Sequence, residues 1–248
     1  IEANSDISRA DIIAFVETAR QRIGAITLPD AVGISSAGAV INDRIMQEGT
    51  RYCKGLSADE FWARISPIAR YVSRHFGNIP VGVLNDGDAG ALAVAGTLNL
   101  TNTLALSLGT GLAAGYVNRQ GSVTGYLAEL GKVGIDVSPD AQRHEGLRIK
   151  GALQQYTSQR GVLRLAREKG LDIDHDASGA PITSDGARLV RVQELLAEGN
   201  PKAREIFEEI GYYLATAIAV VLPTYNMEHV ILFGRCTKGQ GGQIIAAS

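Results

Sequence analysis

The chain is poor in the residues that build crosslinked folds. Its 248 residues include two cysteines, Cys53 and Cys236, too few for a disulfide framework or a zinc site of four cysteines. An excess of charge is missing too. Lys and Arg number 24 against 26 Asp and Glu, a net charge of −2, so the basic footprint of a protein that wraps nucleic acid is absent. Long hydrophobic runs are also missing. The longest, Leu214 to Leu222, is broken by Pro223 and falls well short of the ~20 residues that span a bilayer. With two cysteines and no expected signal peptide, a reducing cytoplasm is the expected location. The absent initiating methionine and a closing segment, Gly239 to Ser248, that starts like a helix and stops lead us to expect a polypeptide incomplete at both ends.

Glycine, by contrast, is abundant. There are 29, against a usual share of ~7%. They gather behind apolar segments, as Gly109, Gly111 and Gly115 and then as Gly234, Gly239, Gly241 and Gly242. Glycine permits positive φ and close backbone approach. Such clusters point to ligand loops, with tight turns as the plain alternative.

Hydrophobic spacing predicts a helix from about Asp6 to Ile23 and a strand over Ala31 to Ser35 that runs into the loop Ser36-Ala37-Gly38-Ala39. Ser57 and Glu60 form a capping box, and Phe61, Ile65, Ile68, Val72 and Phe76 mark one helix face behind it. Strands are predicted over Val81 to Leu84, Thr103 to Leu108, Ala113 to Val117 and His229 to Phe233. A further piece, Ser122-Val123-Thr124, completes an antiparallel meander. Helices are expected over Ala89 to Ala95, Leu153 to Lys169 and Gly186 to Ala197. A long one is capped by Asn200 with Pro201 at its first position. Alternating strands and helices predict an α/β fold. A turn-rich stretch from Gly96 to Asn102 divides it into an N-terminal lobe, residues 1–98, and a C-terminal lobe, residues 99–248.

Three strand ends share one design: Asn85-Asp86, Gly109-Thr110-Gly111, and Gly234 with the loop behind it. Ligands of α/β folds bind beyond the carboxyl ends of strands. A carboxylate there can act as a general base, and a glycine–threonine turn can offer N–H groups and a hydroxyl to phosphate. Taken singly, Asp86 reads as a helix cap and Gly109-Thr110-Gly111 as a hairpin turn. The three in this order are harder to dismiss.

The sequence resembles the ROK family of sugar kinases, within the superfamily of actin, hexokinase and the heat-shock chaperone ATPases. Val83-Leu84-Asn85-Asp86-Gly87-Asp88-Ala89-Gly90-Ala91-Leu92 resembles the segment that holds that family's catalytic aspartate. Leu106-Ser107-Leu108-Gly109-Thr110-Gly111-Leu112 resembles its second phosphate loop, and Gly33-Ile34-Ser35-Ser36-Ala37-Gly38 the loop beside its sugar. Ala128-Glu129-Leu130-Gly131-Lys132 is similar to Gly-Glu-Ile-Gly-His. Gly151 to Ser158 is similar to Gly-Cys-Leu-Glu-Ala-Tyr-Ala-Ser, and Leu214 to Gly234 to the long helix, proline turn and strand that lead to the adenosine loop. The resemblance implies a two-lobed actin-like (ribonuclease H-like) ATPase fold and a glucokinase-like homodimer. Its partners would be a sugar substrate and ATP with Mg2+. Asp86 would be the general base and also touch the sugar. Gly38, Asn85, Glu129, Lys132 and Gln154 would bind the sugar; Gly109, Thr110, Gly111, Gly234 and Arg235 would bind the nucleotide.

The departures are as specific. The histidine and three cysteines of the family's zinc module are matched here by Lys132, Glu145, Leu147 and Ala152, so no structural zinc is expected. His144 and Glu145 read as a solvated pair. Gln154 stands for a carboxylate, Arg235 for a glycine beside the nucleotide, and the Asp-x-Gly-x-Thr first phosphate loop does not occur. Lys132 could meet an acidic sugar. Two further readings therefore stay open beside the kinase: a non-catalytic relative that binds sugar or nucleotide, and the effector domain of a transcription regulator. Asp172, Asp174, His175 and Asp176 read as an acidic loop, Trp62 as packing, and the cysteines as ordinary thiols.

Overall fold

The computed structural model of the protein describes residues 9–22, 24, 29–46, 56–123, 125, 129–144 and 148–248. Its packing divides into two units, Ile1–Ala89 and Gly90–Ser248, and the division falls inside a helix.

In the first unit, α1 (Arg9–Arg22) precedes β1 (Val32–Ser36) and a short hairpin, β2 (Val40–Ile41) and β3 (Arg44–Ile45). Asn42 and Asp43 turn the hairpin with φ of 50° and 58°, the left-handed pair that a two-residue connection of this twist needs. The capping box forms as the sequence predicts. Ser57 Oγ accepts the Glu60 N–H, and Glu60 Oε2 accepts the Ser57 N–H at 3.0 Å. The helix behind it is not continuous. It begins as α2 (Ala58–Glu60), widens into a π-helical turn over Phe61–Ile65, and restarts as α3 (Ile68–His75) after Pro67. Proline lacks the N–H that a regular helix would donate there, and the Tyr71 hydroxyl donates to the Ala63 carbonyl at 3.1 Å. All five residues of the predicted apolar face are nevertheless buried, packed with Ile45 and Val83. β4 (Val81–Asn85) pairs parallel with β1, Ser36 opposite Asn85.

α4 (Asp86–Leu98) follows β4 directly. The second unit holds the rest of that helix and a three-stranded sheet in the order β6 (Leu112–Val117), β5 (Thr103–Leu108), β7 (His229–Phe233). The β5–β6 pair is antiparallel and the β5–β7 pair parallel. The alternation of β5 sorts its residues between two cores. Leu104, Leu106 and Leu108 enter the larger one, while Ala105 joins Ala91 and Ala95 of α4 on the other face. Small residues let α4 lie close: a Cβ on Gly90 would stand 2.9 Å from the Phe233 ring.

The larger core is completed by helices. These are α5 (Gln154–Thr157), α6 (Gln159–Glu168), α7 (Asp185–Ala197), α8 (Pro201–Val221) and α9 (Gln240–Ala247). Each fully buried Leu, Ile or Phe here is worth ~1.5–3 kcal/mol. Asn200 caps α8 by accepting the N–H groups of Lys202 and Ala203. The helix predicted over Leu153 to Lys169 is two helices. Ser158 sits between them in extended backbone, donates from Oγ to the Gln154 carbonyl at 2.6 Å, and caps α6. The predicted third meander piece is one antiparallel bridge, Val117 to Val123, while Thr124 lies outside the described residues. No helix among the described residues is long and apolar enough to cross a membrane.

Candidate functional site

Two groups of predicted ligand residues form, one in each unit. In the first, the parallel pair β1 and β4 ends at Ser36 and Asn85. Asn85 is buried and committed twice: Nδ2 donates to the Gly38 carbonyl at 2.8 Å, and Oδ1 accepts the Gly87 N–H at 2.8 Å. It is therefore the cap of α4 and the clasp that holds the Gly38 loop. One Nδ2 hydrogen and one Oδ1 lone pair are left for a ligand. Asp43 supports the strand, its Oδ1 accepting the Val83 N–H at 2.8 Å.

Asp86 is exposed at the first position of α4. The sequence predicts that helix from Ala89; the Asn85 cap starts it three residues earlier and so puts Asp86 at a positive helix end. Asp88 lies in the same first turn. It is 4% exposed, and its Oδ1 has no hydrogen-bond partner. Burial, with the Asp86 charge second, pushes its carboxyl up from 3.8 to about 6. Asp88 falls within the segment that resembles the family's catalytic-aspartate stretch, yet the sequence assigns it no role. Nothing local in sequence marks a buried acid.

In the second unit the sheet's β5 and β7 end side by side, and their following loops are laid together by three consecutive residues. Gly234 has φ of 106°, and a Cβ there would stand 2.6 Å from the Leu108 carbonyl oxygen. The Arg235 guanidinium donates from Nη2 to Thr110 Oγ1 at 2.6 Å. The buried Cys236 thiol points at the Gly109 carbonyl, Sγ to O 3.7 Å, and burial pushes its pKa up to about 12. Gly109 is fully engaged, since its N–H donates to Gly111 O and its carbonyl also accepts the Gln159 N–H, both at 2.9 Å. The N–H groups of Thr110 and Gly111 have no hydrogen-bond partner among the described residues. Gln159, Ser158 and Cys236 are supports that sequence reasoning missed.

The remaining predicted residues gather at the same turn. A Cβ on Gly111 would stand 3.2 Å from Gln154 Oε1. One on Gly131 would stand 2.8 Å from the Leu112 carbonyl oxygen and 3.4 Å from Gln154 Cβ. Glu129 and Lys132 flank Gly131 and form an ion pair with each other. Backbone pairing of Val133 with Leu153 and of Ile135 with Gly151 holds the start of α5 against this corner.

The stretch between Lys132 and Ala152 is held in its described part by hydrogen bonds. The Tyr156 hydroxyl donates to Asp136 Oδ2 at 2.6 Å and accepts the Gln142 N–H at 2.9 Å. That bond holds Asp136 below the usual carboxylate range. Lys150 Nζ donates to the Pro139 carbonyl at 2.6 Å. Ala152 is buried, while Glu145 and Leu147 lie outside the described residues. The acidic loop is tied down as well: Asp174 pairs with Arg188 at 2.6 Å, and Asp172 and Asp176 accept loop N–H groups.

Comparison with known proteins adds the following. A sequence model of the ROK family matches residues 5–241. The glucokinase of Halalkalibacterium halodurans is 28% identical over 172 residues, 64% of this chain and 50% of that protein. The chain thus spans half the length of the glucokinase it matches. Among solved structures, the ROK hexokinase from Thermus thermophilus is 22% identical with a TM-score of 0.62, over 92% of this chain and 69% of that one. A ROK family glucokinase from Streptomyces griseus, in complex with glucose and AMPPNP, is 22% identical with a TM-score of 0.67, over 99% and 79%. A ROK family transcriptional regulator, described as a homologue of the E. coli MLC protein, is 22% identical with a TM-score of 0.70, over 98% and 60%. The shared architecture is the α/β fold of the actin-like ATPases, as the sequence leads one to expect.

Proposed function

The chain belongs to the ROK family, and from that premise we propose that it works in ATP-dependent phosphoryl transfer to a sugar hydroxyl. The observation that carries this reading is the corner of the second unit. There a glycine turn with two N–H groups to spare, the Gly131 turn and Gln154 meet at the carboxyl ends of parallel strands. Phosphoryl transfer needs positioning and charge stabilisation more than covalent chemistry, and such a turn supplies both to a phosphate. On this reading Asp86, exposed and placed by Asn85, takes the proton of the attacking hydroxyl. Asn85 offers its remaining N–H and Glu129 a carboxylate oxygen to the sugar. Residues 1–98 carry the general base, and residues 99–248 hold the nucleotide.

Mg2+ comes with the nucleotide. The donors at hand fit a hard cation that keeps most of its waters and takes phosphate oxygens: the exposed Asp86 carboxylate, whose Oδ1 accepts the Gly87 N–H at 3.1 Å, would accept from such waters as well, and no cluster of three or more metal-binding side chains occurs among the described residues. When bound, the ion neutralises phosphate charge. A homodimer in the cytoplasm completes the proposal.

Two contacts favour a second reading, a non-catalytic binder or a regulator's effector domain. Lys132 engages Glu129, and Arg235 engages Thr110. A coupled ADP-release assay on the full-length protein, with a panel of hexoses and acidic sugars, separates the readings. The kinase is expected to turn over one of them, and Asp86→Asn to lower kcat by ~10²–10⁴-fold, the usual worth of a general base, with ADP binding retained. No turnover with any sugar, together with sugar or ADP binding that Asp86→Asn leaves unchanged, would favour the binder.

A further inference from the structure

We infer that Arg235 is a phosphate clamp, and that it makes this chain recognise its phosphoryl donor by the phosphate chain more than by the nucleoside. The inference rests on the reading above that the second unit holds the donor, and deepens it. Three observations converge.

The first is placement. Arg235 lies between two anchored residues. Gly234 has no room for a side chain against Leu108, and Cys236 is buried with its thiol on Gly109. Its own carbonyl accepts the Gln193 side-chain N–H at 2.8 Å. The backbone at 235 is thus fixed, and the guanidinium is delivered to the glycine turn.

The second is what the guanidinium does there. Its one hydrogen bond, to Thr110 Oγ1 at 2.6 Å, uses a single N–H. Among the described residues it pairs with no carboxylate. A guanidinium has five donors and matches phosphate oxygens two at a time. The Thr110 oxygen accepts from Arg235 and keeps its own hydrogen to donate.

The third is the neighbourhood. The Thr110 and Gly111 N–H groups have no hydrogen-bond partner among the described residues. Two backbone donors, one hydroxyl donor and an unneutralised guanidinium face one short turn. Every one of these groups donates and the guanidinium is charged, which suits an anion better than a neutral base or ribose. The side chain reaching Thr110 also places Nη1 3.7 Å from where a Cβ on Gly186 would stand. Arg235 therefore fills space between the turn and Gly186 that a glycine would leave open.

The test is calorimetric binding of ADP, AMP, adenosine and inorganic tripolyphosphate at constant ionic strength to the full-length protein and to Arg235→Gly and Arg235→Lys. The native protein is expected to bind tripolyphosphate in competition with ADP. Arg235→Gly is expected to weaken both by at least about tenfold, as loss of a charge-assisted fork should, and to leave adenosine unchanged or improved. Arg235→Lys, which keeps the charge without the fork, should recover only part of the loss. Circular dichroism checks that each variant folds, and the lysine variant carries the test if the glycine variant does not. Tighter ADP binding by Arg235→Gly would make the arginine a plug and overturn the inference. So would a native protein that ignores tripolyphosphate. Sugar phosphorylation with an unchanged KM for ATP in Arg235→Gly would leave the kinase standing without the clamp. Arginine-dependent ADP binding with no sugar turnover would leave the clamp standing without the kinase.

Discussion

Asp88→Asn tests whether burial or the helix end governs the acid beside Asp86. Two effects oppose each other at position 88. The amino end of α4 favours a carboxylate there by ~0.3–1 kcal/mol. Burial opposes it, since one oxygen has no hydrogen-bond partner and only 4% of the residue meets solvent. Burial wins, and the carboxyl rises from 3.8 to about 6. That difference corresponds to about 3 kcal/mol at ~1.36 kcal/mol per tenfold change in proton affinity. The sign follows from proton linkage. The folded chain holds this proton more tightly than the unfolded one, so the group costs nothing below the ordinary aspartate range. The cost grows as pH rises from 3.8 to about 6 and is complete above that. An asparagine never ionises. Its amide can leave an unsatisfied donor, a pH-independent loss of ~1–3 kcal/mol, so the quantity to read is the change with pH rather than the offset. In urea unfolding followed by circular dichroism, the stability of Asp88→Asn minus that of the native protein should climb by up to about 3 kcal/mol between about pH 4 and pH 8. Two stability curves that stay parallel across that window would refute the argument, because the proton would then be held no more tightly in the folded chain.

Two more expectations concern the scaffold. Gly234→Ala must force a Cβ to 2.6 Å from the Leu108 carbonyl oxygen at φ of 106°, and should cost ~3 kcal/mol or more. Gly121→Ala, also at positive φ but with nothing within 4 Å, should cost only ~1–2 kcal/mol. Equal losses in thermal unfolding would show that space at Leu108 does not matter. Asn85→Ala removes the α4 cap and strands the Gly38 carbonyl. A loss of ~2–4 kcal/mol is expected, with faster hydrogen exchange at the Gly87 amide, whose 3.1 Å bond to Asp86 Oδ1 would remain; unchanged stability would mean that Asn85 is not the cap.

Signals that live within a few residues were readable from sequence. The capping box at Ser57 and Glu60, the Asn200-Pro201 start of α8, and the strands at 103–108 and 229–233 all form where expected. Each is fixed by its own spacing or its own cap. What could not be read depends on a partner far along the chain. Nothing local distinguishes Leu153 to Lys169 from one helix. It breaks at Ser158 because the next N–H belongs to the Gly109 carbonyl. The early start of α4 follows from Asn85, whose other contact is 47 residues away at Gly38. The union of Arg235 with Thr110 spans 125 residues, and Cys236, read from sequence as an ordinary thiol, is a buried prop of the same turn.

Three positions where the sequence departs from the family it resembles also lie near this turn. Arg235 stands where the resemblance leads one to expect a glycine, and donates to Thr110. Lys132 stands for a histidine and binds Glu129. Gln154 stands for a carboxylate and lies against Gly111. Three substitutions that look independent in the sequence therefore meet in one corner of one unit. A guanidinium added beside the turn, a cation set on Glu129, and a negative charge withdrawn from above Gly111 all move the local charge in the same direction. Relative to the residues that the resemblance leads one to expect, each change makes the corner more positive, which suits the anionic donor proposed for it.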